Sequence, residues 1–560
     1  MKKRIISLIT AIILSFTLTG CSDDGLDKVL KYDIPDNPET LDPQQANEPI
    51  SELIIGNVFC GLFGKNANGT LKNAVCESYS VSDDGLVYNF KLREDIFWVD
   101  GESEIQCKAQ DFVFGFKRLF SPETNAPNAE DYFCIKNSKR IQSGAISDFS
   151  QLGVKALGDF ELEITLDYTN PRFLDMLCDA PAMPCCEELF IKSRGKYGLS
   201  AECTPSNGAF YVRSWHYDPY AETDVNNVVL SRNYKNAEAL NICPSGLNFF
   251  IVDESTFVAD LLNKEVSCLA VSTREKSLVE GKYPCEEYPS VTCGLIFNRD
   301  YAAFRNEDFL KGLSRLINRE QLTDDILDFE AAEGVVSRQV KVNGESYRDV
   351  VGKRDNLVYD VKTAGEYLKN AKSSVNSSAF TGARIIVPDD FSQTAVSYIM
   401  QDWQREAGFY CVLERLSESE YRRRLESGDY EIALYKLTGK YDSPAAYLEQ
   451  FCYNNAGNYS GYSNSKFDFL LYQAQTAADY GDSAELYAKA EQTLIDDCGF
   501  VPIYCENIYF FKQKDVEDVY YNPLTGAIDF TQGKRNRTFC YLLINESSWA
   551  KINRESSPLE

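Results

Sequence analysis

The sequence predicts an α/β fold divided into more than one lobe, and three observations carry that reading. At 560 residues the chain is too long for one hydrophobic core, because domains usually hold ~100–200 residues. Apolar stripes at helical spacing alternate with strand-like runs, the order that layers helices on sheets through crossover connections. The composition is 44% hydrophobic and 25% charged, without an obvious repeat or low-complexity run, which excludes disorder, collagen and coiled coil as the main architecture.

The N-terminus comes first. Met1-Lys2-Lys3-Arg4 is a basic start, and Ile5 to Leu18 is apolar apart from Ser and Thr. That run is shorter than the ~20 residues a membrane helix needs, so it reads as a signal peptide over residues 1–20. It ends in Leu18-Thr19-Gly20-Cys21, which resembles a bacterial lipobox. The resemblance implies cleavage before Cys21, lipid on its thiol, and a short tether over 21–30. No later run approaches ~18 apolar residues.

Further along, Ala109 to Phe120 sets Phe112, Val113, Phe116, Leu119 and Phe120 on one helical face. Asn306 is placed to cap a helix carrying Phe309, Leu310, Leu313, Leu316 and Ile317. Ala395, Ile399, Met400 and Trp403 form a stripe that stops at Gly408, and Tyr410 to Leu416 reads as a strand. Ser417 with Glu420 is a capping box for a helix ending at Gly428, and Tyr430 to Leu437 is again strand-like. Asp482 with Glu485 is expected to cap a last helix carrying Leu486, Ala490 and Leu494. Loop aromatics such as Tyr441, Tyr453, Tyr459 and Tyr462 either line a ligand cleft or pin their loops to the body.

Charge narrows the function classes. The net charge is −27; without the first twenty residues 54 basic groups face 84 acidic ones, a net −30. Such a surface repels phosphate backbones, so no nucleic-acid partner is expected. The single histidine, His216, stands among turn residues and reads as a surface loop residue. Eighteen cysteines are scattered without C-x-x-C spacing, so neither zinc nor an iron–sulfur cluster is expected. With Cys21 set aside, seventeen remain, and they read mostly as buried free thiols, a few disulfides being compatible with export. No nucleophile elbow, zinc-protease helix, P-loop or Rossmann glycine pattern appears. No catalytic residue, metal or cofactor is therefore assigned.

Separated segments, in order, resemble the extracellular solute-binding proteins of oligopeptide-, dipeptide- and nickel-type ABC importers. They include Glu39-Thr40-Leu41-Asp42-Pro43, Asn57 to Phe63, and Gly69-Thr70-Leu71. Ser82-Asp83-Asp84-Gly85-Leu86-Val87-Tyr88-Asn89-Phe90-Lys91-Leu92-Arg93 with Trp98-Val99-Asp100-Gly101 is the most specific block. Ala109 to Phe114, Gly208 to Trp215, Arg232-Asn233-Tyr234, Phe297-Asn298, Arg315 to Glu320, Pro444 to Leu448, Gly461 to Asn464, Phe467-Asp468 and Val501 to Tyr504 complete the series. The resemblance implies a two-lobed periplasmic-binding-protein-like α/β fold with an inserted domain and two hinge crossings. It divides the chain into a first lobe (31–50, 200–274 and 491–545), an inserted domain (51–199), a second lobe (275–490) and a tail (546–560). The crossings are expected near Thr292 to Phe297 and near 490–505.

Function follows from the same resemblance. It implies a monomeric, lipid-anchored receptor on the outer side of the cytoplasmic membrane that passes an oligopeptide-like solute to ABC permease and ATPase subunits. Its ligand contacts would be Asn207, Gly208, Thr292, Cys293, Gly294, Leu295, Thr438, Gly439, Lys440, Tyr441 and Asp442. One position departs from the pattern: Lys440 stands where peptide binders place an Asp for the ligand's amino terminus, and Leu437 replaces a Trp. A ligand without a free amine at that end, peptide or not, is the expectation. A surface-anchored hydrolase, or a sensor lipoprotein on the same scaffold, stays open as the alternative.

Overall fold

Two strands of unusual length organise the computed structural model, which describes residues 28–535 except 67–68, 100–103, 221–224, 237, 326–328, 343, 373–380, 390–392, 454, 456 and 478. The expected signal peptide, Cys21 and the tail lie outside the described residues. Cys285–Phe297 (13 residues) and Val501–Lys512 (12 residues) pair antiparallel, from Cys285 opposite Phe511 to Leu295 opposite Val501. Their Val, Ile, Tyr and Phe content suits a pleated, half-buried ribbon. The register shifts between Pro289 and Val291, and again between Cys293 and Gly294 beside Pro502. Proline has no N–H to give a ladder, so each proline sits beside a bulge.

Each end of this ribbon carries a different body. Cys268–Ser272 pairs with Ile508 to Lys512 at one end, and Ile432–Leu437 with Thr292 to Phe297 at the other. Thr381–Pro388 runs parallel to Ile432–Leu437, and Tyr410–Leu416 runs parallel to Thr381–Pro388. Parallel neighbours need crossovers, and the helices Gln393–Asp402 and Glu418–Ser427 supply them. Alternation then sorts the side chains. Leu295, Phe297, Ile385, Val387, Ile432 and Leu434 enter one core with Trp403, while Ile296, Ile386, Ala433 and Leu437 enter the other with Tyr447 and Phe500. Both faces are covered, as parallel strands require.

At the opposite end, Val29–Ile34 lies parallel to Gly246–Ile251, followed antiparallel by Asn227–Arg232 and Phe210–His216. Phe530 packs edge-on against Tyr32 and Phe249, with ring centroids 6.2 and 5.9 Å apart. The last described segment thus completes a core begun by the first strand. A second four-stranded sheet, Cys76–Val81, Val87–Leu92, Glu161–Thr165 and Val154–Gly158 in spatial order, is backed by the helix Ala109–Phe120. The most specific sequence block turns out to be a hairpin. Gly85 donates to Ser82 O at 2.8 Å with φ +70°, a conformation that favours glycine. Asp42 of the opening motif forms a buried ion pair with Arg118, whose guanidinium lies 4.3 Å over Phe190.

Local end signals were largely readable. Asn306 accepts from Phe309 N (2.8 Å), Ser417 accepts from Glu420 N (3.4 Å), and Gly408 and Gly428 close their helices at φ +66° and +70°. His216 is exposed at the end of its strand. Some expectations need correction. The last helix, Tyr480–Asp496, is capped by Asp479, which accepts from Asp482 N (2.9 Å); Asp482 itself lies in the first turn. The second crossing is Val501–Lys512 rather than 490–505, because this helix runs through residue 490 into the second-lobe core. The expected division at 274/275 likewise falls inside the helix Thr273–Val279, whose Val279 packs with Leu269 and Tyr509 on the first-lobe side. The sixteen described cysteines are free thiols; eight are buried and only Cys285 is exposed.

Candidate ligand cleft

A cavity of ≈ 500 Å³ opens beside the ribbon, where residues 53–66, 69–74 and 172–183 face 339–341 and 441–442, with 520–532 along one edge. Its first wall begins on the helix Pro49–Val58. Glu48 caps that helix by accepting from Ile50 N (2.8 Å) and Ser51 N (3.0 Å), and Pro49 fits the first turn, where no donor is needed. The helix delivers the chain into the loop Phe59 to Gly64. Gly61 leaves little room for a side chain, because a Cβ would lie 3.0 Å from Leu177 O and 3.1 Å from Met183 Sδ. Asn57 Nδ2 donates to Leu53 O (2.8 Å) and Ile528 O (3.4 Å), tying this wall to the edge formed by 520–532.

The second wall is built from the far lobe. Lys341 N donates to Asp442 Oδ1 at 2.7 Å, which joins the loop carrying Gln339 to the loop carrying Tyr441. Glu491, fully buried, holds the base of the first loop by accepting from Val335 N (2.7 Å) and Val336 N (3.0 Å). Its carboxylate also pairs with Arg348 at 2.6 Å.

Charge inside the cleft is mixed. Lys65 and Asp175 form an ion pair, and Tyr480 Oη donates to Asp175 Oδ2 at 3.0 Å. Burial disfavours the Lys65 ammonium, but Asp175 more than offsets this and raises its pKa. Burial raises the Asp442 carboxyl, opposed by the Lys341 amide and by Lys65. Asp179 is pushed up to about 6 by burial despite Arg172 at 3.5 Å. Beside these stand Phe63, Tyr288, Tyr521 and Leu524. The cleft therefore offers aromatic and aliphatic surface, both charge signs and amide groups, a set suited to binding a polar organic solute. Among the described residues no cluster of three or more His, Cys, Asp or Glu could hold a metal, and no helix is long and apolar enough to cross a membrane.

The structure distributes the expected contact residues unevenly. Tyr441 and Asp442 line the cavity. Thr438 and Lys440 are exposed near it, and Gly439 is buried against Tyr447, whose Cε2 would lie 2.5 Å from an added Cβ. Asn207 is consumed by a clamp: it accepts from Cys60 N (2.9 Å) and donates to Cys60 O (2.8 Å). Gly208 packs so closely that a Cβ would sit 2.5 Å from Val58 O. Thr292, Cys293, Gly294 and Leu295 are interior to the ribbon, paired with Leu437 to Leu434 on one side. None of these six is among the residues that line the cavity. Sequence reasoning missed Lys65, Arg172, Asp175, Lys341 and the edge 520–532. The glycines at 61, 64 and 69 were the available signal for the first wall.

Comparison with known proteins places this geometry. Residues 70–459 match the family model "Bacterial extracellular solute-binding proteins, family 5 Middle". The chain is 24% identical over 561 residues to the oligopeptide-binding protein OppA of Bacillus subtilis, covering 95% of this chain and 99% of that one. It is 25% identical over 492 residues to a probable deoxycholate-binding periplasmic protein, YgiS of Escherichia coli, covering 85% and 88%. The pheromone receptor PrgZ superposes with a TM-score of 0.71 at 24% identity, covering 91% of this chain and all of that one. Listeria monocytogenes OppA bound to peptide gives 0.69 at 22%, covering 91% and 99%. A family match over most of the chain and a shared two-lobed fold carry one conclusion: this chain belongs to the bacterial extracellular solute-binding proteins of family 5, substrate-binding proteins rather than enzymes.

Proposed function

We propose that this protein is a lipid-anchored receptor, held by Cys21, that captures a peptide or related solute between its two lobes and delivers it to an ABC permease. The observation that carries the reading is the cleft itself. Its two walls belong to bodies joined by one two-stranded ribbon, so the low-cost motion is a hinge that opens and shuts the cavity. Relatives named for oligopeptide and dipeptide binding support a peptide-like ligand. YgiS, named for a bile acid, keeps a non-peptide solute in view.

Lys440 sharpens the ligand class. An ammonium at the cleft rim repels a like-charged ligand amine rather than binding it by a charge-assisted hydrogen bond of about 1.5–3 kcal/mol. Asp442 accepts from Lys341 N, while Lys440 acts on Glu52, Asp131 and Glu449, whose carboxyl pKa values it lowers. The ligand is therefore a blocked or anionic peptide, or another organic solute, at that end. Native mass spectrometry of the purified protein identifies carried-over solute, and titration with unmodified and N-acetylated forms of one peptide series ranks them. Tight binding that requires the free amine and survives Lys440→Ala unchanged refutes the amine-blocked reading; no affinity for any peptide or related organic solute refutes capture.

A further inference from the structure

The two walls also touch each other outside the cavity, along a seam where the stretch Thr169 to Asp175 faces Thr476 and Tyr480. Thr476 follows the last turn of the helix Ser465–Gln475, so its carbonyl has no donor within that helix. Thr169 Oγ1, from the opposite wall, donates to it at 2.9 Å. Tyr480 opens the next helix, Tyr480–Asp496, and its Oη donates to Asp175 Oδ2 at 3.0 Å. Asp175 Oδ1 pairs with Lys65 of its own wall. Each oxygen of this carboxylate thus has a donor, one from each wall. Beside it the Arg172 guanidinium lies 3.4 Å over the Tyr441 ring, a cation–π contact across the same seam. Tyr441 is steadied in turn by donating from Oη to Glu449 Oε2 at 2.7 Å. Arg172, Asp175 and Tyr441 line the cavity, whereas Thr169, Thr476 and Tyr480 are not among its lining residues.

We propose that Thr169 and Tyr480 are positioning residues for capture: they fasten wall to wall from outside the cavity and set how far the cleft shuts before solute takes part. The inference rests on the reading of the cleft as a capture site that opens and shuts. A solute drives closing only by its own preference for the shut form. A bond made outside the cavity adds a fixed preference of its own, whether the cavity is filled or not. The chemistry suits contacts that form and break. Both bonds are part-buried, so on opening water replaces the lost partner at the Thr476 carbonyl and at Asp175 Oδ2. Asp175 keeps Lys65 when the walls part, and each wall keeps its own fold. The bond from Tyr480 ends on a carboxylate, which makes it the stronger of the two.

Small-angle scattering on the purified protein, stripped of solute by unfolding and refolding, reads the shut fraction. Thr169→Val combined with Tyr480→Phe removes both hydroxyls, keeps side-chain shape and alters no cavity-lining residue. In the double variant the ratio of shut to open protein falls about tenfold or more, seen as a larger radius of gyration than the parent's. Ser483→Ala is the control. Ser483 Oγ donates to Ala474 O at 2.8 Å, between the same two helices but within one wall's body. Its loss lowers the urea midpoint and leaves the radius unchanged. A double variant with the parent's radius, or a Ser483→Ala protein that expands as much as the double variant, overturns the proposal. Calorimetric titration of parent and double variant with a mixture of N-acetylated tri- to pentapeptides separates the two ideas. Binding by both proteins, with equal radii before peptide is added, removes the positioning role and leaves capture standing. Expansion of the solute-free double variant, with no binding by either protein, removes capture of such peptides and leaves the positioning role.

Discussion

Replacing Glu491 by alanine removes the one acceptor that holds the base of the loop carrying Gln339 and Lys341 into the cleft. Its carboxylate serves Val335 N, Val336 N, Arg348 and the Tyr347 hydroxyl, the last at 3.3 Å. Arg348 is 2% exposed and Glu491 is fully buried, so water cannot take over. Two orphaned buried N–H groups cost about 1–3 kcal/mol each. An uncompensated buried guanidinium costs about 3–5 kcal/mol. The groups share one network, so the costs overlap rather than add, and a loss of about 3–5 kcal/mol is expected. A two-lobed chain need not unfold in one step, so the measurement is hydrogen exchange resolved to single amides. At 1.4 kcal/mol per tenfold, protection of Val335 and Val336 falls by about a hundredfold or more. Solute affinity falls with it, because Lys341 N bridges to Asp442. Glu491→Gln keeps the one oxygen that both amides share but leaves the Arg348 guanidinium without its counter-charge, and falls between. Protection within threefold of the parent in Glu491→Ala refutes the argument.

Other substitutions follow from equally local geometry. Gly294→Ala places a Cβ 2.5 Å from both Phe500 Cζ and Val501 O, so overpacking destabilises the ribbon by about 1–3 kcal/mol, read as a lower urea midpoint. Asp33 is 3% exposed, its Oδ2 has no partner, and burial followed by Asp260 raises it to about 7. Its contribution is full below its unfolded value near 3.8 and is lost as pH rises through 7. Asp33→Asn therefore stabilises by about 2–4 kcal/mol at pH 8, and the gain vanishes near pH 4 in urea titrations. Cys21→Ala releases the protein from membranes or leaves it unprocessed; a cleaved, still membrane-bound form contradicts the anchor.

How far the sequence could be read depends on the range of each interaction. Asn306, Ser417, Gly408 and Gly428 act within one turn, and their roles were visible as spacing. The strand Tyr410–Leu416 was bounded correctly because Gly408 and Ser417 punctuate it. Asp479 was passed over for Asp482, three residues on, because two acids near a helix start compete for the same cap. The cleft was harder. Lys65 and Asp175 are 110 positions apart and Asn57 reaches Ile528 across 471, so no local pattern announces either contact. Asn207, Gly208 and the stretch Thr292 to Leu295 resemble binding segments; in the structure Asn207 clamps the Cys60 backbone, Gly208 packs on Val58 and the stretch lies inside the ribbon.

The edge-on contact of Phe530 with Tyr32 and Phe249 sets the order in which this protein can mature. The first strand of the chain finds its aromatic neighbour about five hundred positions later, and Cys243 N also waits for Thr531 O, at 2.8 Å. Closing so long a loop is slow, and it contributes nothing until both ends exist. While a ribosome is still producing the second lobe, the N-terminal body lacks Phe530 and leaves that part of its core uncovered. The first body therefore reaches its full stability only after the second lobe has been made, so ending the chain before residue 530 weakens the N-terminal core as well as removing the last segment.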